Sequence, residues 1–201
     1  MSDSRAWDQR YAGEGFAFGA EPNLYLRSLA PRLRPGLRAL ALGDGEGRNG
    51  AWLAGQGLAT TSLDWSPVAS AKARVFAATQ GVAMDVVTAD LTAWEYPTAQ
   101  FDLVAWIFVH LPAGDRARVA EGAVRSLAPG GLLALECFSP AQEGRRSGGP
   151  KEPSLLFTRS IVETLFAGLE TLELLEGAVL LDEGPKHQGQ AEVIRALFRK
   201  P

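Results

Sequence analysis

The stretch LALGDGEGRNG, from Leu40 to Gly50, places four glycines within eleven residues, directly after a short apolar run. Glycine adopts backbone conformations that other residues avoid, and its small size lets the chain approach a ligand closely. Two acidic residues, Asp44 and Glu46, lie between the glycines. The ligand of this loop must therefore tolerate two carboxylates.

The chain around this loop alternates two kinds of segment. Short apolar runs occur at Leu37–Leu42, Leu58–Leu63, Ala83–Thr88, Leu103–Val109 and Leu132–Phe138. Such runs are typical of strands buried on both faces of a parallel sheet. Segments with helical spacing lie between them, at about Arg48–Gly55, Pro67–Gln80 and Asp115–Leu127. The alternation predicts right-handed crossovers and a doubly wound, Rossmann-like α/β sheet.

The carboxyl-terminal part departs from this alternation. A helix is predicted at Thr158–Leu165, followed by two apolar runs that flank the turn-rich segment Asp182–Gln190. This pattern predicts a hairpin whose last strand is antiparallel. We expect a single domain over residues 1–201, with residues 1–36 as an amino-terminal arm and a lid-like loop at residues 139–157. Glycine, proline and charged residues concentrate in that loop at Ser139–Ser154.

Composition indicates which kinds of partner and which cellular compartment to expect. The formal net charge is −3, from 20 basic and 23 acidic residues, so no overall positive field attracts nucleic acid. The longest apolar run is far shorter than the roughly 20 residues that span a bilayer, and no signal peptide is evident. With one cysteine and two histidines, neither a disulfide nor a zinc site is expected. We expect a cytoplasmic protein with a small-molecule partner; its oligomeric state is left open.

The glycine spacing argues against a dinucleotide. The dinucleotide fingerprint G-x-G-x-x-G/A requires a small residue at position 48, where this chain has Arg48. A pyrophosphate would also meet the like charge of Asp44 and Glu46. Neither objection applies to a ligand that has no phosphate and carries a positive charge. S-adenosylmethionine, with its sulfonium cation, is such a ligand.

Residues after the second and third strands fit the rest of that ligand. In a doubly wound sheet a ligand binds beyond the carboxyl ends of the strands. Asp64 ends the second strand, where a carboxylate can accept hydrogen bonds from both ribose hydroxyls, and Trp65 can cover one face of the adenine or pack in the core. Asp90 and Leu91 follow the third strand, where they can reach the adenine edge.

The order of these motifs resembles that of class I S-adenosylmethionine-dependent methyltransferases over nearly the whole chain. The matching segments are LALGDGEGRN, LDWSP, ADL, FDLVAWIFVHLP and LAPGGLLALECFSP. Two further segments, WDQRYAGEGFAFGAEPNLYL and EGPKHQGQAEVIR, are similar to a bacterial subgroup related to tellurite-resistance and thiopurine methyltransferases. The resemblance implies a seven-stranded sheet of order 3-2-1-4-5-7-6 with the seventh strand antiparallel. It also implies S-adenosyl-L-methionine as cofactor, bound by Gly43, Asp44, Gly45, Gly47, Asp64, Trp65, Asp90, Leu91 and Ile107.

One position departs from the family pattern. The family often has an acid two residues before the first glycine, where this chain has Ala41. The methionine ammonium would then rely on backbone carbonyls near Gly43 and Ile107, or on Asp44 or Glu46.

Few side chains are candidates for a role in catalysis or substrate binding. His110 ends the fourth strand and could act as a general base, or it could be a turn histidine bonded to the backbone. His187, in the predicted hairpin turn, could reach a substrate or be solvated. Trp7, Tyr11 and Phe18 either fasten the arm to the sheet or form a wall of the substrate pocket, or both. The lid cations Arg145, Arg146 and Lys151 could draw in an anionic substrate or be solvated.

Methyl transfer is a direct displacement that requires in-line geometry and exclusion of water, and it needs no triad or metal. The expected acceptor is a small-molecule nucleophile, such as a thiol or a selenium or tellurium species, a preference that rests on the subgroup resemblance. An oxygen or nitrogen nucleophile is the next candidate. Two other classes stay open: a non-catalytic module that binds S-adenosylmethionine, and a nicotinamide-dependent oxidoreductase.

Overall fold

A computed structural model describes residues 4–201. Its seven-stranded sheet has the order β3-β2-β1-β4-β5-β7-β6. All neighbouring strands pair in parallel except at β7, which is antiparallel to both β5 and β6. The strands are β1 (Arg38–Leu42), β2 (Ala59–Asp64), β3 (Asp85–Thr88), β4 (Phe101–Ile107), β5 (Leu127–Phe138), β6 (Glu170–Asp182) and β7 (Gln188–Arg199). The predicted doubly wound α/β sheet, its strand order and its antiparallel last strand are confirmed.

Within residues 4–201 six α-helices accompany the sheet: α1 (Ser4–Tyr11), α2 (Leu24–Ser28), α3 (Arg48–Gly55), α4 (Pro67–Thr79), α5 (Ala113–Ser126) and α6 (Arg159–Leu165). The predicted start of α4 is explained by its cap, because the Ser66 hydroxyl accepts a hydrogen bond from the Ala69 amide at 3.1 Å and Pro67 opens the helix. No helix in the described part of the chain is long and apolar enough to cross a membrane.

Apolar side chains fill both faces of the sheet. Alternate residues of β4 enter opposite layers: Val104 and Trp106 belong to one core cluster, and Leu103 and Ala105 to the other. This burial on both faces explains why the strands appear in the sequence as continuous apolar runs rather than alternating ones.

The hairpin is longer than predicted, because β6 and β7 remain paired as far as Asp182 and Gln188. The predicted turn of Asp182–Gln190 therefore contracts to residues 183–187. The polar residues that suggested a longer turn extend the ladder instead, because backbone groups pair whatever side chains they carry. The segment LAPGG directly follows the end of α5 and forms the start of β5.

The arm contains two helices and packs over the carboxyl ends of β1 and β2; its residues 1–3 lie outside the described part. The Asp8 carboxylate accepts a hydrogen bond from the Ser66 hydroxyl at 2.5 Å. Lys72 of α4 donates hydrogen bonds to the carbonyls of Gly13 and Gly15, each at 2.7 Å. Phe16 meets Phe76 edge to face at 4.9 Å between ring centroids. These contacts fasten the arm at the sheet edge where the glycine loop lies.

Candidate active site

The glycine loop connects β1 to α3 through left-handed backbone. Gly43, Gly45 and Gly47 have φ of 55°, 59° and 88°, values that side-chain-bearing residues rarely adopt. A Cβ on Gly45 would lie 2.7 Å from the Tyr11 hydroxyl, and one on Gly47 would lie 2.8 Å from the Cβ of Ala73. Glycine is thus required both for the turn and for the close packing of the arm and α4.

The two acids of the loop bind protein groups. The Asp44 carboxylate accepts hydrogen bonds from the Gly50 amide at 3.1 Å and the Ser62 hydroxyl at 2.7 Å. Burial raises the pKa of Asp44 to about 7. Glu46 pairs with Lys72 at 2.9 Å and accepts a hydrogen bond from the arm amide of Ala17 at 2.7 Å. Asp44 therefore fastens the start of α3, and Glu46 fastens the arm.

Asp64 is buried at the end of β2. Its two carboxylate oxygens accept hydrogen bonds from the amides of Gly45 and Ser66, both at 2.8 Å. Burial raises its pKa. The side chain thus links the glycine loop to the start of α4, and it contributes to folding as well as to any ligand contact.

A cavity of about 540 Å³ opens against the loop, within the size range of small-molecule sites. Four segments line it: the glycine loop, the arm, the end of β4 with the lid, and the hairpin turn. The sequence-predicted residues on its wall are Trp7, Tyr11, Phe18, Gly43, Asp44, Gly45, Ile107, His110 and His187. Those not among its lining residues are Gly47, Asp64, Trp65, Asp90 and Leu91.

Helix α1 of the arm packs beside the end of β2, where Tyr11 covers Gly45 and the Asp8 carboxylate accepts a hydrogen bond from the Ser66 hydroxyl. The Asp90 carboxylate accepts hydrogen bonds from the amide and hydroxyl of Thr92, both at 2.8 Å.

His110 contacts backbone through both ring nitrogens. Nδ1 lies 2.9 Å from the Leu155 carbonyl, and Nε2 lies 3.4 Å from the Phe138 amide. Burial lowers its pKa to about 4, so the ring is neutral, with Nδ1 donating and Nε2 accepting. This geometry favours the backbone-bonded alternative over the general base, because both nitrogens are engaged in joining β4 to the lid.

His187 lies in an aromatic environment rather than in a solvated turn. Its ring centroid lies 4.8 Å from that of Phe18, 4.5 Å from that of Phe108 and 5.5 Å from that of Phe138. The side chain is buried, and its Nδ1 has no hydrogen-bond partner among residues 4–201. Burial, reinforced by the positive charge of Arg48, lowers its pKa to about 3.

This low pKa predicts a pH-dependent stability. Folded His187 stays neutral below pH 6.5, whereas the unfolded side chain takes up a proton, so stability falls as the pH drops from about 6.5 towards 3. Relative to His187→Leu, which keeps apolar volume, the wild type should lose about 1.4 kcal/mol per pH unit in this window. Urea unfolding at pH 4, 5, 6 and 7 measures the difference. Parallel stability profiles for the two proteins would contradict it.

Phe108 is a cavity residue that sequence analysis missed. It follows β4 with φ of 53°, a left-handed conformation that is costly for a bulky side chain. Its ring stacks on Phe138 at 4.6 Å between centroids. No sequence pattern indicates backbone strain of this kind. The position of the segment FVHLP at the carboxyl end of β4 is the one signal that could have pointed to Phe108 as a cavity residue.

A buried polar network holds the arm and the hairpin together. Glu183 pairs with Arg48 at 2.7 Å and accepts a hydrogen bond from the side-chain amide of Asn23 at 2.9 Å. Asn23 also donates to Glu136 at 2.5 Å, and Glu136 pairs with Arg195 at 2.7 Å. Arg48, which breaks the dinucleotide fingerprint, therefore belongs to the scaffold that fixes the cavity walls.

Comparison with known proteins agrees with this geometry. Residues 39–131 match the family model described as "Methyltransferase domain". No protein of curated function matches the chain in sequence. Many solved structures share its fold, and the three given next do so at an identity that supports the fold alone.

The first is described as "Conversion of a Disulfide Bond into a Thioacetal Group during Echinomycin Biosynthesis"; it has a TM-score of 0.79 and 21% identity, over 98% of this chain and 91% of the other. TehB from Haemophilus influenzae has a TM-score of 0.74 and 17% identity, over 98% and 67%. The N-methyltransferase NodS from Bradyrhizobium japonicum, in complex with S-adenosyl-L-homocysteine, has a TM-score of 0.73 and 20% identity, over the full length of both chains.

The match over residues 39–131, from β1 to the early part of β5, assigns a methyltransferase domain to just under half of the chain, and the sheet order agrees with it.

Proposed function

We propose that the protein transfers a methyl group from S-adenosylmethionine to a small-molecule nucleophile, with a thiol or a selenium or tellurium species as the favoured acceptor. The observation that carries this proposal is one cavity whose wall joins Gly43 and Gly45 of the cofactor loop to Phe18 of the arm and His187 of the hairpin. A site for cofactor and acceptor together needs such a junction.

The residues present fit the cofactor. Asp44 and Glu46 line the cavity but are bound to protein groups, and as acids they suit a ligand without phosphate better than a pyrophosphate. Asp64 has two carboxylate oxygens, each with capacity for a further hydrogen bond beside the amide that it already accepts. When bound, S-adenosylmethionine supplies a methyl group on a sulfonium leaving group. We assign the loop glycines, Ile107, Asp64, Trp65, Asp90 and Leu91 to binding it.

The chain's own contribution is approach geometry and exclusion of water. Tyr11 and Phe18 come from the arm and Phe108 and Phe138 from the sheet edge, so aromatic rings border the cavity from both sides. Neither His110 nor His187 carries a positive charge at neutral pH. Because His110 is bonded to the backbone and the pKa of His187 is lowered to about 3, both histidines are weak bases here, and such a site suits a nucleophile that is soft or already ionised. This supports the preference for sulfur, selenium or tellurium.

The test is formation of S-adenosylhomocysteine, followed by mass spectrometry, with small thiols, selenols, tellurite and matched phenols and amines as acceptors. We expect turnover with the soft acceptors above the acceptor-free background, together with their methylated products. Binding of S-adenosylhomocysteine without turnover on any acceptor would overturn the proposal and favour a binding module.

Asp64→Ala tests the assigned ribose contact. Loss of hydrogen bonds to a charged group should weaken S-adenosylhomocysteine binding by about 1.5–3 kcal/mol. Because Asp64 also accepts from Gly45 and Ser66, the variant should lose folding stability as well, so calorimetry is done on protein shown to be folded. Asp85→Ala, an exposed acid at the opposite end of the neighbouring strand β3, is the matched control and should leave the affinity unchanged. Unchanged affinity in folded Asp64→Ala would remove Asp64 from the site.

A further inference from the structure

Building on the proposed methyl transfer, we infer that the acceptor is an anionic molecule. Its apolar body lies against Phe108 and Phe138, and its anionic group is bound by Lys151 of the lid and Lys186 of the hairpin.

The two lysines reach the cavity from separate segments that meet. A Cβ on Gly148 of the lid would lie only 2.5 Å from the Lys186 carbonyl and 2.8 Å from Cδ2 of His187. Gly148 has φ of 114°, which only glycine adopts readily. The lid thus packs directly on the hairpin turn, and both Lys151 and Lys186 line the cavity at this junction.

The charged residues of the cavity wall differ in whether another group of the protein neutralises them. Arg48 is neutralised by Glu183, and Glu46 by Lys72. Burial with a raised pKa leaves Asp44 only partly ionised near neutrality. By contrast, Lys151 and Lys186 are exposed and form no ion pair or hydrogen bond with any of residues 4–201.

The remaining exposed charges of the wall do not cancel them. Arg10 lies over the Trp7 ring at 4.6 Å and forms no ion pair with a carboxylate of residues 4–201. Glu152 is the one exposed acid among the described lining residues. The rim therefore keeps an excess of positive charge, although the whole chain is net negative. Such a local field attracts an anion and repels a cation.

The aromatic end of the cavity defines the other half of the acceptor. Phe108 and Phe138 stack with an interplanar angle of 26°, and His187 meets Phe108 edge to face. The neutral His187 ring adds no charge to this end. A flat, apolar body is complementary to these rings, with its anionic substituent directed to the lysine rim.

The experiment measures binding to protein saturated with S-adenosylhomocysteine, which does not require turnover. The probes are 4-(methylthio)benzoate and its neutral isostere 4-(methylthio)benzamide. Calorimetry measures the affinity of each probe at low and high salt. We expect the carboxylate to bind roughly five- to tenfold more tightly at low salt, the scale of two exposed charge contacts. High salt should reduce this preference.

Two variants test whether Lys151 and Lys186 cause the preference for the carboxylate probe. Lys151→Gln/Lys186→Gln should abolish the preference for the carboxylate and leave the affinity for S-adenosylhomocysteine unchanged. Arg146→Gln removes a charge from the same lid but lies outside the cavity lining, so it should keep the preference. Equal binding of both probes, retention of the preference in the double variant, or loss of S-adenosylhomocysteine affinity in that variant would each overturn the inference. None of these outcomes depends on methyl transfer, whose own failure is read from the turnover assay.

Discussion

Replacing Glu183 with alanine is expected to destabilise the protein by about 3–5 kcal/mol, the cost of leaving a buried charge without its partner. Glu183 is 2% exposed and pairs with Arg48, which is 7% exposed. The same carboxylate accepts hydrogen bonds from the Asn23 side chain and the Leu24 amide, at 2.9 and 3.1 Å. Its removal leaves the buried Arg48 cation without its ion-pair partner and takes one acceptor from each of Asn23 and Leu24. Urea unfolding measures the loss.

Glu183→Gln is the matched control. The amide oxygen can still accept from Asn23 and Leu24, so only the charge opposite Arg48 is lost, and the destabilisation should be clearly smaller. Arg199→Gln breaks the exposed pair with Glu170 and should cost about 1 kcal/mol or less. If Glu183→Ala cost no more than this surface variant, the buried network would not stabilise the arm and hairpin.

The fold could be predicted because its signals are local. Continuous apolar runs, the Ser66–Pro67 helix start and the glycine loop each specify an element from a few adjacent residues. The limits of the elements were less accurate: β7 begins at Gln188 rather than in the apolar run that follows, because backbone pairing continues through polar residues. The strand order followed from family resemblance, since local pattern alone does not fix the order of parallel strands.

The site could be predicted only in part, because its remaining features depend on contacts between distant segments. Glu183 lies 135 residues from Arg48, and nothing in either neighbourhood indicates the pairing. The burial of His187 arises from Phe18, Phe108 and Phe138, which belong to three different segments. Asp64 was correctly located at a strand end, but its hydrogen bonds to Gly45 and Ser66 follow from the loop conformation. Sequence indicates which residues are available, whereas packing decides which of them are free to bind.

Tyr11→Ala is expected to have the largest effect on catalysis. Tyr11 is 4% exposed, its hydroxyl lies against Gly45, and its ring joins Trp7 and Phe18 at centroid distances of 5.8 and 6.1 Å. Removing the ring takes away the wall between the cofactor loop and the aromatic end of the cavity. Misplacement of reacting groups by about 1 Å can cost roughly 100-fold in rate. We therefore expect kcat/KM to fall by about 100-fold or more.

The comparison with Tyr11→Phe separates the wall from the hydroxyl. Phenylalanine keeps the ring contacts, so turnover near that of the wild type is expected, and an equal loss in both variants would assign the effect to the hydroxyl instead. A second variant, Trp7→Ala, tests whether turnover falls without a loss of folding stability. Trp7 is 38% exposed, so its removal should change the free energy of unfolding little. It should still lower turnover, since Trp7 lines the cavity beside Tyr11. Turnover by Tyr11→Ala close to the wild-type rate would show that the arm does not enclose the reacting groups, and water exclusion would then fall to the lid and the His187 hairpin.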